Sequence, residues 1–367
     1  MTTLLHRIDF ELSSCVDVLR RAELIAERGV YSARIGDFDD AREAVRLLRE
    51  RFGSANVRVS IWIMLIEGLV LFFESLSTIA YDRIRRANLV GRASENHDLA
   101  ALTAAWLAHL DFNASRFNDM EQWLGSCLHK FSEQRSDTRI RVYVVVASAC
   151  LYAGYVPEGR RFCELARREA VAVGDEATLS AIMYNRAALT LTYLRVCAAL
   201  GREDPEAAEF LEMEVASAHR FNSAVKHSAL AHIVDLARAR LEFFKCRYAA
   251  AAEILRTQLD GDRPLGIKSG RALVELEYAV CMAQLGDTSA ANALDTEADL
   301  ESELATEERL IYCHLLGVLR GLIDVEPRSI EGERSGLQSI YVGDTILIRR
   351  CLRLVRDALD GEHLWPQ

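Results

Sequence analysis

Six short segments of this chain follow one template: a small or polar residue, then an apolar or aromatic residue two positions later, then in most copies a small residue three positions further on. The clearest copy runs from Gly36 through Phe38 to Ala41. The copies begin at Gly36, Ser75, Ser115, Gly154, Cys246 and Gly286, with steps of 39, 40 and 39 residues among the first four and 40 between the last two. A fixed period of this size is the signature of a helical repeat array, and such arrays mostly offer surfaces for binding.

The template predicts helix pairs in which the first residue turns the chain, the apolar residue fills the gap between two helices, and the small residue allows their close approach. None of the five prolines interrupts the interior of a predicted helix, and Pro157 and Pro205 stand at the first position of one. The pairs are expected at about 10–35 and 38–52, 56–73 and 76–93, 97–113 and 117–131, 137–153 and 157–172, 176–200 and 205–220, 223–244 and 247–259, and 267–285 and 288–298. An eighth long helix at 301–322, a polar connector at 324–343 and an amphipathic helix at 345–359 complete the chain, which divides into a repeat array at 1–323 and a connector with a capping helix at 324–367.

The composition of the chain bears on its partners and on its cellular compartment. The net charge of -10 and the estimated pI of 5.5 argue against nucleic-acid binding, which needs a basic surface. Nine cysteines occur singly, without metal-binding or redox spacing, which is typical of the reducing cytoplasm. The apolar runs 59–73 and 142–156 are shorter than the roughly 20 residues that a membrane-spanning helix needs. A cytoplasmic protein without a signal peptide is therefore expected.

Signals for chemistry are weak. The segment Gly261 to Ser269 looks like a phosphate-binding loop, but Ile267 separates Gly266 from Lys268 and no strand precedes it. His227 and His232 lie five positions apart, so they do not share a helix face as a metal pair would. We expect no catalytic residues, no metal and no cofactor. The acidic stretch at 295–308 is interpreted as a solvated surface, with a docking patch for a basic partner as the alternative.

The repeated segments resemble the tetratricopeptide repeat family. Gly29, Gly36, Phe38 and Ala41 fit its small and large positions, as does the run from Arg240 to Tyr248, although the period exceeds the family's usual 34 residues. Long helices of this kind are similar to the repeat domains of bacterial regulators, such as the sensor region of the maltose activator and the Rap-type peptide receptors. The resemblance covers about 10–322 and implies an all-α fold: a right-handed α-solenoid of about seven helix pairs with a C-terminal capping helix.

In that family the first helix of each pair lines a concave groove. Alignment from the corner residues predicts a partner-binding lining of His109, Asn113, Arg141, Ser148, Tyr152, Asn185, Arg186 and Arg240. The family's carboxylate clamp is absent, because those positions hold residues such as Leu102, Ala105, Val144 and Leu236. The expected function is non-enzymatic binding of a protein or peptide, as an adaptor or regulatory scaffold that contacts neither nucleic acid nor membrane. One alternative is a sensor whose superhelix changes conformation on binding a small ligand or signalling peptide, and another is a helical-array enzyme.

Overall fold

All regular secondary structure is helical in the part of the chain that the computed structural model describes, residues 3–53, 56–225, 231–261, 270–292, 294, 304–323 and 331–361. A short 3₁₀ helix occupies Phe131–Glu133. The α-helices in chain order are α1 Leu4–Ser14, α2 Val18–Ile35, α3 Phe38–Phe52, α4 Val57–Ser75, α5 Ile79–Ala93, α6 His97–Asn113, α7 Phe117–Cys127, α8 Ser136–Tyr152, α9 Val156–Val173, α10 Glu176–Ala199, α11 Pro205–Glu209, α12 Leu211–Val225, α13 Ala231–Phe244, α14 Tyr248–Leu259, α15 Arg271–Gln284, α16 Ser289–Asn292, α17 Thr306–Leu322 and α18 Glu331–Gly361.

The corners between paired helices adopt the backbone conformation that the sequence template predicts. The first residue of each of five copies has a positive φ: 88° at Gly36, 56° at Ser115, 82° at Gly154, 56° at Cys246 and 89° at Gly286. In the weaker copy at Ser75 the left-handed residue is the next one along, Leu76. The amide of the following residue closes the helix by bonding a carbonyl five positions back, as Tyr155 does to Cys150 at 2.8 Å.

Several predicted helices differ in their bounds. The segment expected to be one helix at 10–35 is broken at residues 15–17, because Cys15 is extended and Asp17 caps α2 by accepting the amide of Arg20. The helix expected at 205–220 is divided at Phe210 into α11 and α12. The final helix begins at Glu331 rather than Thr345, so much of the expected polar connector is helical. Most of the predicted acidic patch at 295–308 lies outside the described residues.

The first helices of the first five pairs form a ring. Helix α2 contacts α4, α4 contacts α6, α6 contacts α8, α8 contacts α10, and α10 returns to contact α2. We call α2, α4, α6, α8 and α10 the inner helices. Each of α3, α5, α7 and α9 packs against the two inner helices beside it and so contributes to an outer layer. Two hydrophobic clusters fill the spaces between these layers.

In the C-terminal half, the helices α12, α13 and α17 all pack against α10. Helix α18, which was expected to cap the open end, contacts α17 and also α7 and α8 in the middle of the chain. Its buried stripe is Leu337, Tyr341, Ile348, Cys351, Val355 and Leu359. The Tyr341 hydroxyl donates to the carbonyl oxygen of Tyr152 at 2.8 Å. Among the described helices, none combines the length and the apolar character needed to span a bilayer.

Candidate binding site on the inner helices

A cavity of about 360 Å³ opens where the N-terminal helix α1 lies over the inner helices. Its lining comes from α1, α2, α4, α8, the end of α9 and the cap of α10. Helix α1 is held there by the amide of Leu4, which donates to Gly174 at 2.8 Å, and by Arg7, which donates to Ala172. The size is typical of a pocket for a small ligand or a short peptide segment.

One wall of the cavity carries the contact that closes the ring. Asp175 caps α10 by accepting the Thr178 amide at 2.9 Å, and Arg34 of α2 donates to both of its carboxylate oxygens at 2.8 and 3.1 Å. Burial alone would raise the pKa of Asp175, but the charge and hydrogen bonds of Arg34 and the hydrogen bonds of Thr178 hold that pKa below its ordinary value. The carboxylate of Asp175 is therefore charged, and the bidentate geometry fixes it against the guanidinium of Arg34.

A second wall carries Arg135, whose guanidinium lies 5.1 Å from the ring centroid of Trp62. Arg135 also pairs with Glu27 at 2.8 Å and with Asp137 at 3.1 Å. Around the cavity, arginines and carboxylates occur in similar numbers, beside the apolar side chains of Leu4, Ile8, Val30, Trp62, Ile140 and Val173. The cavity can therefore accommodate a ligand with both apolar and polar groups.

Several buried polar atoms on the inner helices have no hydrogen-bond partner among the described residues. They are Trp62 Nε1 on α4, His109 Nδ1 and Asn113 Nδ2 on α6, Thr138 Oγ1 and Arg141 Nε on α8, and Thr190 Oγ1 on α10. Buried polar groups in folded proteins are nearly always paired with protein, water or ligand. Five of these six atoms lie on the neighbouring helices α4, α6 and α8, and one of the five belongs to Trp62, which lines the cavity. We therefore take this region as the candidate site.

Seven of the eight predicted groove residues lie on inner helices, and Arg240 lies on α13. His109, Arg141 and Ser148 are buried, and Asn113 and Asn185 are half-buried. The Ser148 hydroxyl donates to Val144 at 2.8 Å, and the Asn185 amide donates to Ser148 at 3.4 Å. These side chains are packed inside the ring instead of being spread along an open groove; their contact with a partner stays a prediction.

The other three predicted residues are engaged in contacts within the protein. Tyr152 is buried and donates to Glu307 at 3.2 Å. Arg186 pairs with Glu214 of α12 at 3.2 Å. Arg240 pairs with Glu277 of α15 at 3.0 Å. Alignment from the corner residues correctly placed these residues on their helices. It could not predict their acidic partners, which come from distant parts of the sequence.

Alignment from the corner residues also missed the residues that form the cavity. Trp62 and Arg34 lie on the first helices of the second and first pairs, where the same alignment applied to every pair would have found them. No pattern in the sequence reveals that α1 folds over them, because its contacts reach residues more than 160 positions away. The described residues contain no group of three or more His, Cys, Asp or Glu side chains placed to hold a metal ion.

Comparisons with protein-family models, with curated proteins and with solved structures yield no match.

Proposed function

We propose that this protein is a non-enzymatic binding module that takes a peptide, or a short segment of a protein partner, into the cavity between α1 and the inner helices. In this proposal the ring is one turn of a right-handed, tetratricopeptide-like α-solenoid. The cavity of about 360 Å³ carries the proposal, because it lies on the face that repeat arrays use for binding. Nine free cysteines favour a cytoplasmic protein.

The chemistry of the lining favours a peptide. Apolar and aromatic side chains such as Val30, Trp62 and Ile140 can bury one apolar residue of the ligand. The charges of Arg34 and Arg135 are already neutralised by carboxylates. A wholly anionic or wholly cationic ligand would break these pairs, whereas a mixed peptide segment would not.

The proposal is tested with a library of random peptides displayed against the full-length chain. Enriched peptides are labelled, and their affinities are measured by fluorescence anisotropy for the wild type, for Val30→Trp and for Leu89→Trp. Val30→Trp fills part of the cavity, so we expect it to weaken binding at least about tenfold. Leu89 is exposed on α5, in the outer layer, so Leu89→Trp makes the same kind of change away from the cavity and is expected to leave affinity unchanged.

Two results would count against the proposal. Peptides whose affinity is unchanged by Val30→Trp bind somewhere else on the molecule. Peptides that are lost equally in both variants depend on general stability or on nonspecific apolar contact.

A sensor is the second candidate, favoured by the way the ring is closed. The Arg34–Asp175 ion pair joins residues 141 positions apart, and α1 bridges the same two regions through Leu4 and Gly174. A ligand that enters beneath α1 and loosens either contact would open the ring. Hydrogen exchange of α1 and of the start of α10 tests this: faster exchange on peptide binding supports a sensor, and slower or unchanged exchange supports a rigid adaptor.

A further inference from the structure

Arg141 on α8 is a buried arginine without an acidic partner. Its exposed fraction is 5%, its Nε has no hydrogen-bond partner, and none of the ion pairs in the described part of the chain includes it. The comparably buried Arg34 and Arg195 pair with Asp175 and Glu277. A buried guanidinium is costly unless a charge or hydrogen-bond acceptor compensates it, and arginine does not lose its proton in proteins.

One face of the guanidinium is covered. Its central carbon lies 3.7 Å from the ring centroid of Trp106, close enough for a strong cation–π contact. Stacking uses the flat face of the group and leaves its N–H bonds, which lie in the plane, for an acceptor at the edge. A carboxylate or phosphate oxygen pair matches that edge in geometry and charge.

His109 contacts the same tryptophan, three positions further along α6. Its ring is perpendicular to Trp106 with 5.7 Å between centroids, and perpendicular to Phe72 with 6.0 Å between centroids. Its exposed fraction is 9%, and Nδ1 has no hydrogen-bond partner. Burial first, and then the charge of Arg141, hold the pKa of His109 well below its ordinary value. Trp106 is thus in contact with a guanidinium on α8 and a neutral imidazole on α6. Each of the two has one nitrogen without a hydrogen-bond partner.

Arg141 does not itself line the cavity, but its neighbours in sequence and in charge do. Arg141 directly follows Ile140, a cavity-lining residue, on α8. Burial first, and then the charge of Arg34, lower the pKa of Arg141, whereas the charges of Asp175 and Asp137 raise it. All three of these charged residues line the cavity. Each of these three is already engaged in an ion pair with another residue.

We propose that Arg141, stacked on Trp106 and assisted by His109, is the oxyanion site of the protein and holds a carboxylate or phosphate group of the ligand that occupies the cavity. This rests on the proposed function, since the rest of the ligand lies in the cavity. The oxyanion accepts in-plane hydrogen bonds from the guanidinium and one from the imidazole, so the buried charge is neutralised without disturbing Arg34–Asp175 or Arg135–Asp137.

The test follows tryptophan indole N–H signals of the full chain, labelled with ¹⁵N in tryptophan, while sodium trifluoroacetate replaces chloride at constant ionic strength. Trp106 and Trp62 are assigned from single Trp→Phe variants. We expect a saturable shift of the Trp106 signal. Trifluoroethanol, a neutral molecule of similar size, should not cause it. A parallel titration with inorganic phosphate identifies the preferred group: the tighter of the two anions is the chemistry that the site selects.

Variants locate the charge. Arg141→Met should raise the dissociation constant of trifluoroacetate at least about tenfold, while Arg168→Met, the same change at an exposed position of α9, should not alter it. If Arg141→Met does not fold, the wild-type titration decides alone. An unmoved Trp106 signal, or equal shifts with trifluoroacetate and trifluoroethanol, would overturn the proposal.

The two proposals fail differently. A shift at Trp62 without one at Trp106 overturns the oxyanion site and leaves the cavity as a ligand site. If the Trp106 signal shifts but the affinity of the selected peptides is unchanged by Val30→Trp, the oxyanion site stands and the peptide-binding function of the cavity is refuted.

Discussion

Replacement of Gly159 by alanine probes the close approach of paired helices that the sequence template implies. Gly159 is the small residue at the end of the copy that begins at Gly154, on α9. A Cβ atom there would lie 2.7 Å from Cγ and 2.8 Å from Cδ2 of Leu151, and 3.3 Å from the backbone oxygen of Ala147. Leu151 is fully buried, so its side chain has little room to move away.

The expected magnitude is a balance of two effects. Alanine gains about 1 kcal/mol over glycine in a helix interior. Overpacking of a filled core costs about 1–3 kcal/mol, so Gly159→Ala should lower the free energy of unfolding by up to about 2 kcal/mol. Gly317 on α17 is exposed and a Cβ there meets nothing within 4 Å, so Gly317→Ala should gain up to about 1 kcal/mol.

Urea unfolding followed by circular dichroism measures both variants against the wild type. Because the helix-propensity gain is common to both, their difference of about 1–3 kcal/mol isolates the close contact with Leu151. If Gly159→Ala were as stable as Gly317→Ala, the small residue of the template would have no packing role in this pair.

Three further results are expected. The folded-state pKa of His109 is lowered, so below the ordinary value of 6.5 the unfolded chain binds a proton that the folded protein does not, and stability falls with pH. Between pH 7 and pH 5 the free energy of unfolding of the wild type should drop by up to about 1.4 kcal/mol per pH unit relative to His109→Gln, measured by urea unfolding at each pH. Glu277→Ala should cost about 3–5 kcal/mol in the same assay because it leaves the buried Arg195 without its carboxylate, and a loss below about 1 kcal/mol would contradict this. Tyr341→Phe removes the hydrogen bond to Tyr152 and should cost about 1 kcal/mol, with faster hydrogen exchange in α18; unchanged exchange would mean that this bond does not hold the helix in place.

The helical layout was largely predictable because it depends on local chemistry. The corner residues Gly36, Ser115, Gly154, Cys246 and Gly286 were located by the residue template and its spacing, and all have the left-handed backbone that a helix C-terminus favours. Prediction failed at the ends. The break before α2 depends on one capping aspartate, and the helical segment from Glu331 was hidden by polar residues that surround a sparse apolar stripe.

The candidate site was predictable only in part. His109 and Arg141 were found because alignment of the repeats places them on first helices. Their burial was not foreseen, since it follows from closure of the ring by Arg34 and Asp175, which lie far apart in the sequence. The prediction assumed that the first helices of all pairs line an open groove. Because α10 returns to contact α2, side chains between the inner helices are enclosed.

Photo-crosslinking tests the central claim, that ligands bind between α1 and the inner helices. Benzoylphenylalanine is introduced in place of Glu11, which lines the cavity with a half-exposed side chain, or in place of Leu89, which is exposed on the outer layer. Each protein is irradiated with a peptide selected against the wild-type chain, and adducts are mapped by mass spectrometry. We expect an adduct at position 11 and none at position 89; an adduct at position 89 alone would mean that the peptide binds elsewhere.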